Sequence, residues 1–178
     1  MLRLFLILAA LFAVPAAAQE LRGHGGPVRA LAIAPDGRIA LSGSFDTSAI
    51  LWDIERGMAM TVLRGHESSV NAVLALPDGR FVTAGEDGRI LLWRIGRGEP
   101  EARIDGHTGP VAGLARSPDG RFLASASWDG TARVTPLGGG EARVVTGHAG
   151  PLNAVSFTPG AERRCRLAGG GPRRRTRW

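Results

Sequence analysis

The sequence of 178 residues encodes an all-β fold built from repeated four-stranded units. A Gly-His pair returns at Gly23-His24, Gly65-His66, Gly106-His107 and Gly147-His148, in steps of 42, 41 and 41 residues. A Pro-Asp-Gly triplet follows each of the first three histidines, at Pro35-Asp36-Gly37, Pro77-Asp78-Gly79 and Pro118-Asp119-Gly120. A second turn, centred on an aspartate, follows each triplet: Phe45-Asp46-Thr47, Glu86-Asp87-Gly88 and Trp128-Asp129-Gly130. A fixed period of about 40 residues marks stacked supersecondary units, none able to bury its apolar face alone.

Each unit reads the same way along the chain. Between histidine and Pro-Asp-Gly lies an apolar run: Val28 to Ala34, Val70 to Leu76, Val111 to Ala115. Such runs are too short for helices and end at turn signals, so they read as strands. Proline fixes φ and glycine takes positive φ, which makes each triplet a tight turn. A second strand follows at Ile39 to Ser44, Phe81 to Ala84 and Phe122 to Ser127. After the aspartate turn comes a third, at Ile50 to Trp52, Ile90 to Trp93 and Ala132 to Val134. A glycine turn and a short fourth strand lead to the next Gly-His. Beyond His148 the pattern runs only to Pro159.

The period, the Gly-His pairs and the Trp52-Asp53 pair resemble the WD-repeat family of β-propellers, whose blades span ~40–45 residues. The resemblance covers Leu21 to Phe157, in repeats near 23–64, 65–105 and 106–146 with a partial one at 147–159. Trp-Asp stands in full only at Trp52-Asp53; the second repeat has Trp93-Arg94 and the third Thr135-Pro136. The resemblance implies a propeller fragment: three full four-stranded blades plus partial blade strands at both ends. One of these is an outer strand at Glu20 to Arg22, the other an inner strand at Leu152 to Phe157. Closed propellers have ~4–8 blades, so such a chain reads as a truncated member.

Composition narrows the function classes. All 22 basic residues are arginine, and the formal charge is +6. That charge belongs to residues 160–178, with seven arginines and one glutamate. The repeat domain, 19–159, is near neutral, so no basic stripe for nucleic acid is visible on it. At the N-terminus, Arg3 precedes an apolar run from Leu4 to Val14, broken by Pro15 and followed by Ala16-Ala17-Ala18. This reads as a signal peptide over 1–18. A spanning helix needs ~20 apolar residues, so no membrane span is expected in the mature chain. The expected location is exported, periplasmic or secreted, in a bacterium. A single Cys165 allows no internal disulfide, and no Cys-x-x-Cys-His haem motif occurs.

Histidine, hydroxyl and aspartate stand in phase: His24, Ser42, Asp46; His66, Thr83, Asp87; His107, Ser125, Asp129. A Ser-His-Asp hydrolase is the tempting reading. A catalytic triad occurs once, on a special turn, whereas this set recurs in every repeat, and no Gly-x-Ser-x-Gly elbow is present. In the family resembled, these positions and Trp52 and Trp93 form structural tetrads linked by hydrogen bonds within a blade. Buried polar groups on different strands are tolerable only when satisfied, and then fix register. Metal is discounted, since ligands on separate blades cannot converge within ~2.0–2.3 Å of one ion. Phe45, Glu86 and Trp128 precede the turn aspartates, where the family's rim contacts partners. The bland alternative is that the aromatics cover their own loops.

Residues 160–178 are expected to be disordered. Three readings stay open for this Arg-rich tail: a shifted reading frame, which fits best, a solvated end, or an anion-binding arm. The expected function is a non-catalytic, exported scaffold that binds a protein partner and carries no cofactor. The alternative is the docking or sensor part of a larger exported redox protein, resembling c-type cytochromes, whose cofactor domain is missing. Open blade faces at both ends would favour self-association.

Overall fold

The computed structural model describes residues 20–158, 164–169 and 174–177, and every regular element among them is a strand. The first sheet joins β1 (Val28–Ile33), β2 (Ile39–Ser44), β3 (Ser48–Asp53) and β4 (Met58–Arg64) in sequence order. The second joins β5 (Val70–Ala75), β6 (Arg80–Gly85), β7 (Ile90–Arg94) and β8 (Ala102–Ile104). The third joins β9 (Val111–Arg116), β10 (Phe122–Ser127), β11 (Ala132–Pro136) and β12 (Arg143–Val145). All pairings are antiparallel, as connections of three to seven residues within each of these sheets favour.

Local chemistry fixes the turns. In Ala34-Pro35-Asp36-Gly37 the Gly37 N–H donates to the Ala34 carbonyl at 2.9 Å, and Ala34 N–H donates to Ile39 at 2.8 Å. Leu76 with Gly79 and Ser117 with Gly120 repeat this pairing. The aspartate turns need a left-handed residue after the aspartate. Gly88 and Gly130 supply it at φ 76° and 81°, while the first unit places Thr47 there at φ 68°. A β-branched residue in that region is strained.

Two parts of the sequence expectation need correcting. Glu20 to Arg22 is not a strand. The Arg-rich tail is also not devoid of order. Its residues Arg164–Gly169 (β14) and Arg174–Arg177 (β15) pair with β13 (Leu152–Phe157) as a fourth, three-stranded sheet. The physical reason is a two-residue alternation hidden among arginines. Cys165 and Leu167 are 0% and 1% exposed, whereas Arg166 between them is exposed. The signal-peptide region 1–18 lies outside the described residues, as do 159–163 and 170–173.

The sheets stack in chain order, and each interface is one apolar cluster. Leu41, Ala49, Leu51 and Leu63 of the first sheet pack on Phe81, Leu91 and Trp93 of the second. Val82, Ala84, Ile90 and Leu92 of the second pack on Val111 and Leu123 of the third. Ala124, Ala126, Ala132 and Val134 of the third pack on Leu152, Val155, Cys165 and Leu167 of the fourth. Close approach needs a small residue on the receiving face. A Cβ on Gly43 would sit 2.6 Å from Val70 Cγ1 and 2.9 Å from Val73 Cγ1; Ala84 and Ala126 hold the same register position in the next two sheets.

One face has no such cover among the described residues. Val70, Val111 and Leu152, which start the innermost strands of sheets two to four, are all 0% exposed. Their counterpart in the first sheet, Val28, is 56% exposed, and Leu31 and Ile33 beside it are 63% and 57% exposed. Behind them Ala40, Ile50 and Trp52 form a small cluster with Leu21 and Ile54, all from residues 21–54.

Candidate functional site

The in-phase polar residues come together three times. In the first sheet Trp52 on β3 donates its indole N–H to Ser42 Oγ on β2 at 2.8 Å. Ser42 Oγ lies 2.7 Å from His24 Nε2, and His24 Nδ1 lies 2.9 Å from Asp46 Oδ2. The second sheet repeats this. Trp93 donates to Thr83 Oγ1 at 2.8 Å, Thr83 Oγ1 is 2.8 Å from His66 Nε2, and His66 Nδ1 is 3.0 Å from Asp87 Oδ2. In the third, His107 joins Ser125 at 2.8 Å and Asp129 at 2.9 Å. One assignment of protons satisfies every atom: the hydroxyl donates to Nε2, and Nδ1–H donates to the carboxylate.

The aspartate anchors both ends of its turn. Asp46 also accepts the Gly25 N–H at 2.7 Å, the Ser48 N–H at 2.9 Å and the Ser48 hydroxyl at 2.7 Å. Asp129 accepts the matching groups of Thr108 and Thr131, and Asp87 those of Glu67 and Arg89. Each network therefore ties the Gly-His loop to two strands and to the turn between them. Ser48 and Thr131, two residues after the aspartate, were missed by the sequence reading. Their hydroxyl-bearing recurrence was the available signal.

Burial by itself raises the Asp46 carboxyl. Hydrogen bonds from Ser48, His24 and Gly25 outweigh it and hold the group well below the usual carboxylate range. Asp129 behaves likewise, through Thr131, His107 and Thr108, and Asp87 through His66 and Arg89. For His107 burial wins: it pushes the imidazole down despite Asp129, and the nearby Arg133 charge pushes the same way.

The connectivity is that of a hydrolytic triad, but the hydroxyls are buried. Ser42, Thr83 and Ser125 are 4%, 0% and 1% exposed. In two of the three, an indole N–H also occupies the oxygen that would attack a substrate. Among the described residues no three of His, Cys, Asp and Glu are grouped to hold a metal ion. No helix among them is long and apolar enough to cross a membrane.

The third and fourth sheets depart from the pattern. Thr135 pairs with Leu123, in the register where Trp93 pairs with Phe81 and Trp52 with Ala40. Ser125 thus lacks the indole donor. In the fourth sheet Leu167 stands in the register of the hydroxyl, and His148 Nε2 is buried with no hydrogen-bond partner among the described residues.

The three residues before the turn aspartates occupy one equivalent place. The N–H groups of Phe45, Glu86 and Trp128 donate to the carbonyls of Pro27, Ser69 and Pro110 at 2.9–3.1 Å. Phe45 and Trp128 are each 46% exposed. The Arg29 guanidinium lies 5.5 Å from the Phe45 ring centre, Ser68 donates to Glu86, and Trp128 donates its indole N–H to Asn153 at 2.9 Å. The aromatics are therefore oriented by neighbours, yet remain half exposed.

The acid response follows from these groups. Asp46, Asp87 and Asp129 ionise at lower pH in the folded chain than in the unfolded one, whose aspartates titrate near ~3.9. Their contribution is present above that value and is lost as pH falls through the folded range. His107 also resists protonation when folded, so the unfolded chain takes up that proton first below ~6.5. Both effects have the same sign. Urea midpoints are expected to be level from about pH 8 to 7, to fall gently below ~6.5 and steeply below ~4. A midpoint that rose on acidification would contradict this network.

A family model described as "WD domain, G-beta repeat" matches residues 17–53, 57–94 and 98–135. Two relatives match over single-repeat lengths. F-box/WD repeat-containing protein 10 of Mus musculus is 44% identical over 43 residues, 24% of this chain. Small ribosomal subunit protein RACK1z of Oryza sativa subsp. japonica is 47% identical over 38 residues, 21% of this chain. The matched segments span 4% and 11% of those two proteins. With the repeat model covering more than half of the chain, and three stacked four-stranded antiparallel sheets carrying its marks, the chain belongs to the WD40 repeat family of β-propellers.

Proposed function

We propose that this chain is a non-catalytic, exported scaffold that binds a protein partner on the rim bearing Phe45, Glu86 and Trp128. The carrying observation is two half-exposed aromatic rings at equivalent turn positions, 46% exposed each and held by neighbours. Pre-oriented aromatics lose little entropy on binding and are common interface anchors. The buried hydroxyls argue against hydrolysis, and the tetrads serve as register locks. Export rests on the leader-like run at Leu4 to Val14 and the alanines at 16–18.

Three measurements test this reading. Intact mass of exported protein is expected to begin at Gln19; a retained Met1 would end the export proposal. Cross-linking in an extract of the exporting cells is expected to capture one partner with the wild type. Phe45→Ala and Trp128→Ala should weaken capture about tenfold or more, the usual cost of ~1.4 kcal/mol or above at an anchor, without lowering the melting temperature. Equal capture by both variants would remove the rim from the interface. The uncovered Val28, Leu31 and Ile33 face should also make the chain self-associate. Light scattering is expected to show mass above a monomer, reduced by Leu31→Ser; a monodisperse monomer would refute self-association.

A further inference from the structure

The third sheet's missing tryptophan leaves a space behind. Trp93 is 0% exposed and packs against Leu51 and Leu63 of the preceding sheet. One interface further on, the same floor is present. Leu92 and Ile104 hold the register positions of Leu51 and Leu63. Facing them is Thr135, several carbons smaller than an indole. A cavity of about 330 Å³ lies there, lined by Leu92, Ala102, Ile104, Thr135, Leu137 and Ala142.

Arg133 holds the register of Ile50 and Leu91, and its guanidinium reaches only the outer edge of the place the lost ring would fill. A Cβ on Gly23 would meet Trp52 Cη2 at 2.9 Å and one on Gly65 would meet Trp93 Cη2 at 2.9 Å; on Gly106 it would meet the Arg133 guanidinium. Arg133 Nε is itself buried with no hydrogen-bond partner among the described residues, a sign of an imperfect substitute. The cavity is a half-open cleft, not a sealed void, so a ligand can enter it without opening the fold. Its charged lining groups are already matched: Arg80 with Asp78 at 2.7 Å, and Arg103 with Asp105. The site therefore offers apolar contact with two paired guanidinium groups in its lining, without an uncompensated charge to hold an anion.

We propose that this cavity between the second and third sheets binds a small, neutral, planar aromatic molecule of one or two fused rings. The ligand would take the place that Trp93 fills one interface earlier. The probe is indole, titrated into the full chain at millimolar concentration and followed by amide resonances. Saturable shifts at Leu92, Ile104 and Thr135 are expected. Thr135→Trp should fill the space, raise the melting temperature and weaken indole binding at least about tenfold. Ala142→Leu, which narrows the cavity without touching a tetrad, should weaken it similarly. That variant decides the matter if Thr135→Trp does not fold. Absent shifts in the wild type, or shifts unchanged in Ala142→Leu, would overturn the proposal.

Discussion

No sheet in this chain can bury either of its faces alone, and that constraint organises everything else. A four-stranded blade of three- to seven-residue strands has an apolar side on each face and turns too short to fold back over either. Burial comes only from a neighbouring blade, at roughly 25 cal/mol per Å² of apolar surface removed from water. The chain meets this demand by repetition. The same face, with Leu41 and Gly43, Val82 and Ala84, or Ala124 and Ala126, receives the valine- or leucine-led strand of the next unit. Position 43 shows how tight the fit is, since even one added carbon would contact Val70 closer than van der Waals distance.

The polar networks follow from this packing. A blade squeezed between two neighbours must have its strands in one register, or its apolar residues would face the wrong side. His24, Ser42 and Asp46 link the incoming loop, the second strand and the following turn, so a slip would leave three buried polar groups unsatisfied. The third sheet shows which member is dispensable. Thr135 replaces the indole, yet His107, Ser125 and Asp129 keep their hydrogen bonds at 2.8–2.9 Å. The tryptophan adds a donor and bulk; the histidine makes the long-range connection.

The repeat made most of this legible in the sequence. Strands, turns and the histidine, hydroxyl and aspartate of each unit could be placed because each appeared three times in phase. What occurs once was harder to see. Nothing in the local sequence marks Arg133 as the group that lies against Gly106, because that contact spans two strands. Thr47 at φ 68° breaks the glycine preference of its two counterparts and is not announced by its neighbours. In the tail, seven arginines mask the alternation of Cys165 and Leu167, because two buried residues are too short a run to stand out as a period. The rim was visible as positions, but its exposure and the Arg29 and Asn153 contacts belong to the folded chain.

The two ends of the stack are chemically unlike, and this limits how it can be extended. The first sheet offers Val28, Leu31 and Ile33 to solvent. In the register of Leu41, Val82 and Ala124, the fourth sheet places the exposed Arg166, with Ala168 beside it as the small residue. A second copy stacked head to tail would set Arg166 against the apolar face of the first sheet. Burying an unpaired guanidinium costs several kcal/mol, more than such a contact returns. Head-to-tail closure of two copies is therefore disfavoured. The apolar face is better matched by another apolar face, either its own symmetry mate or a blade whose receiving side keeps the leucine-and-glycine pattern of Leu41 and Gly43.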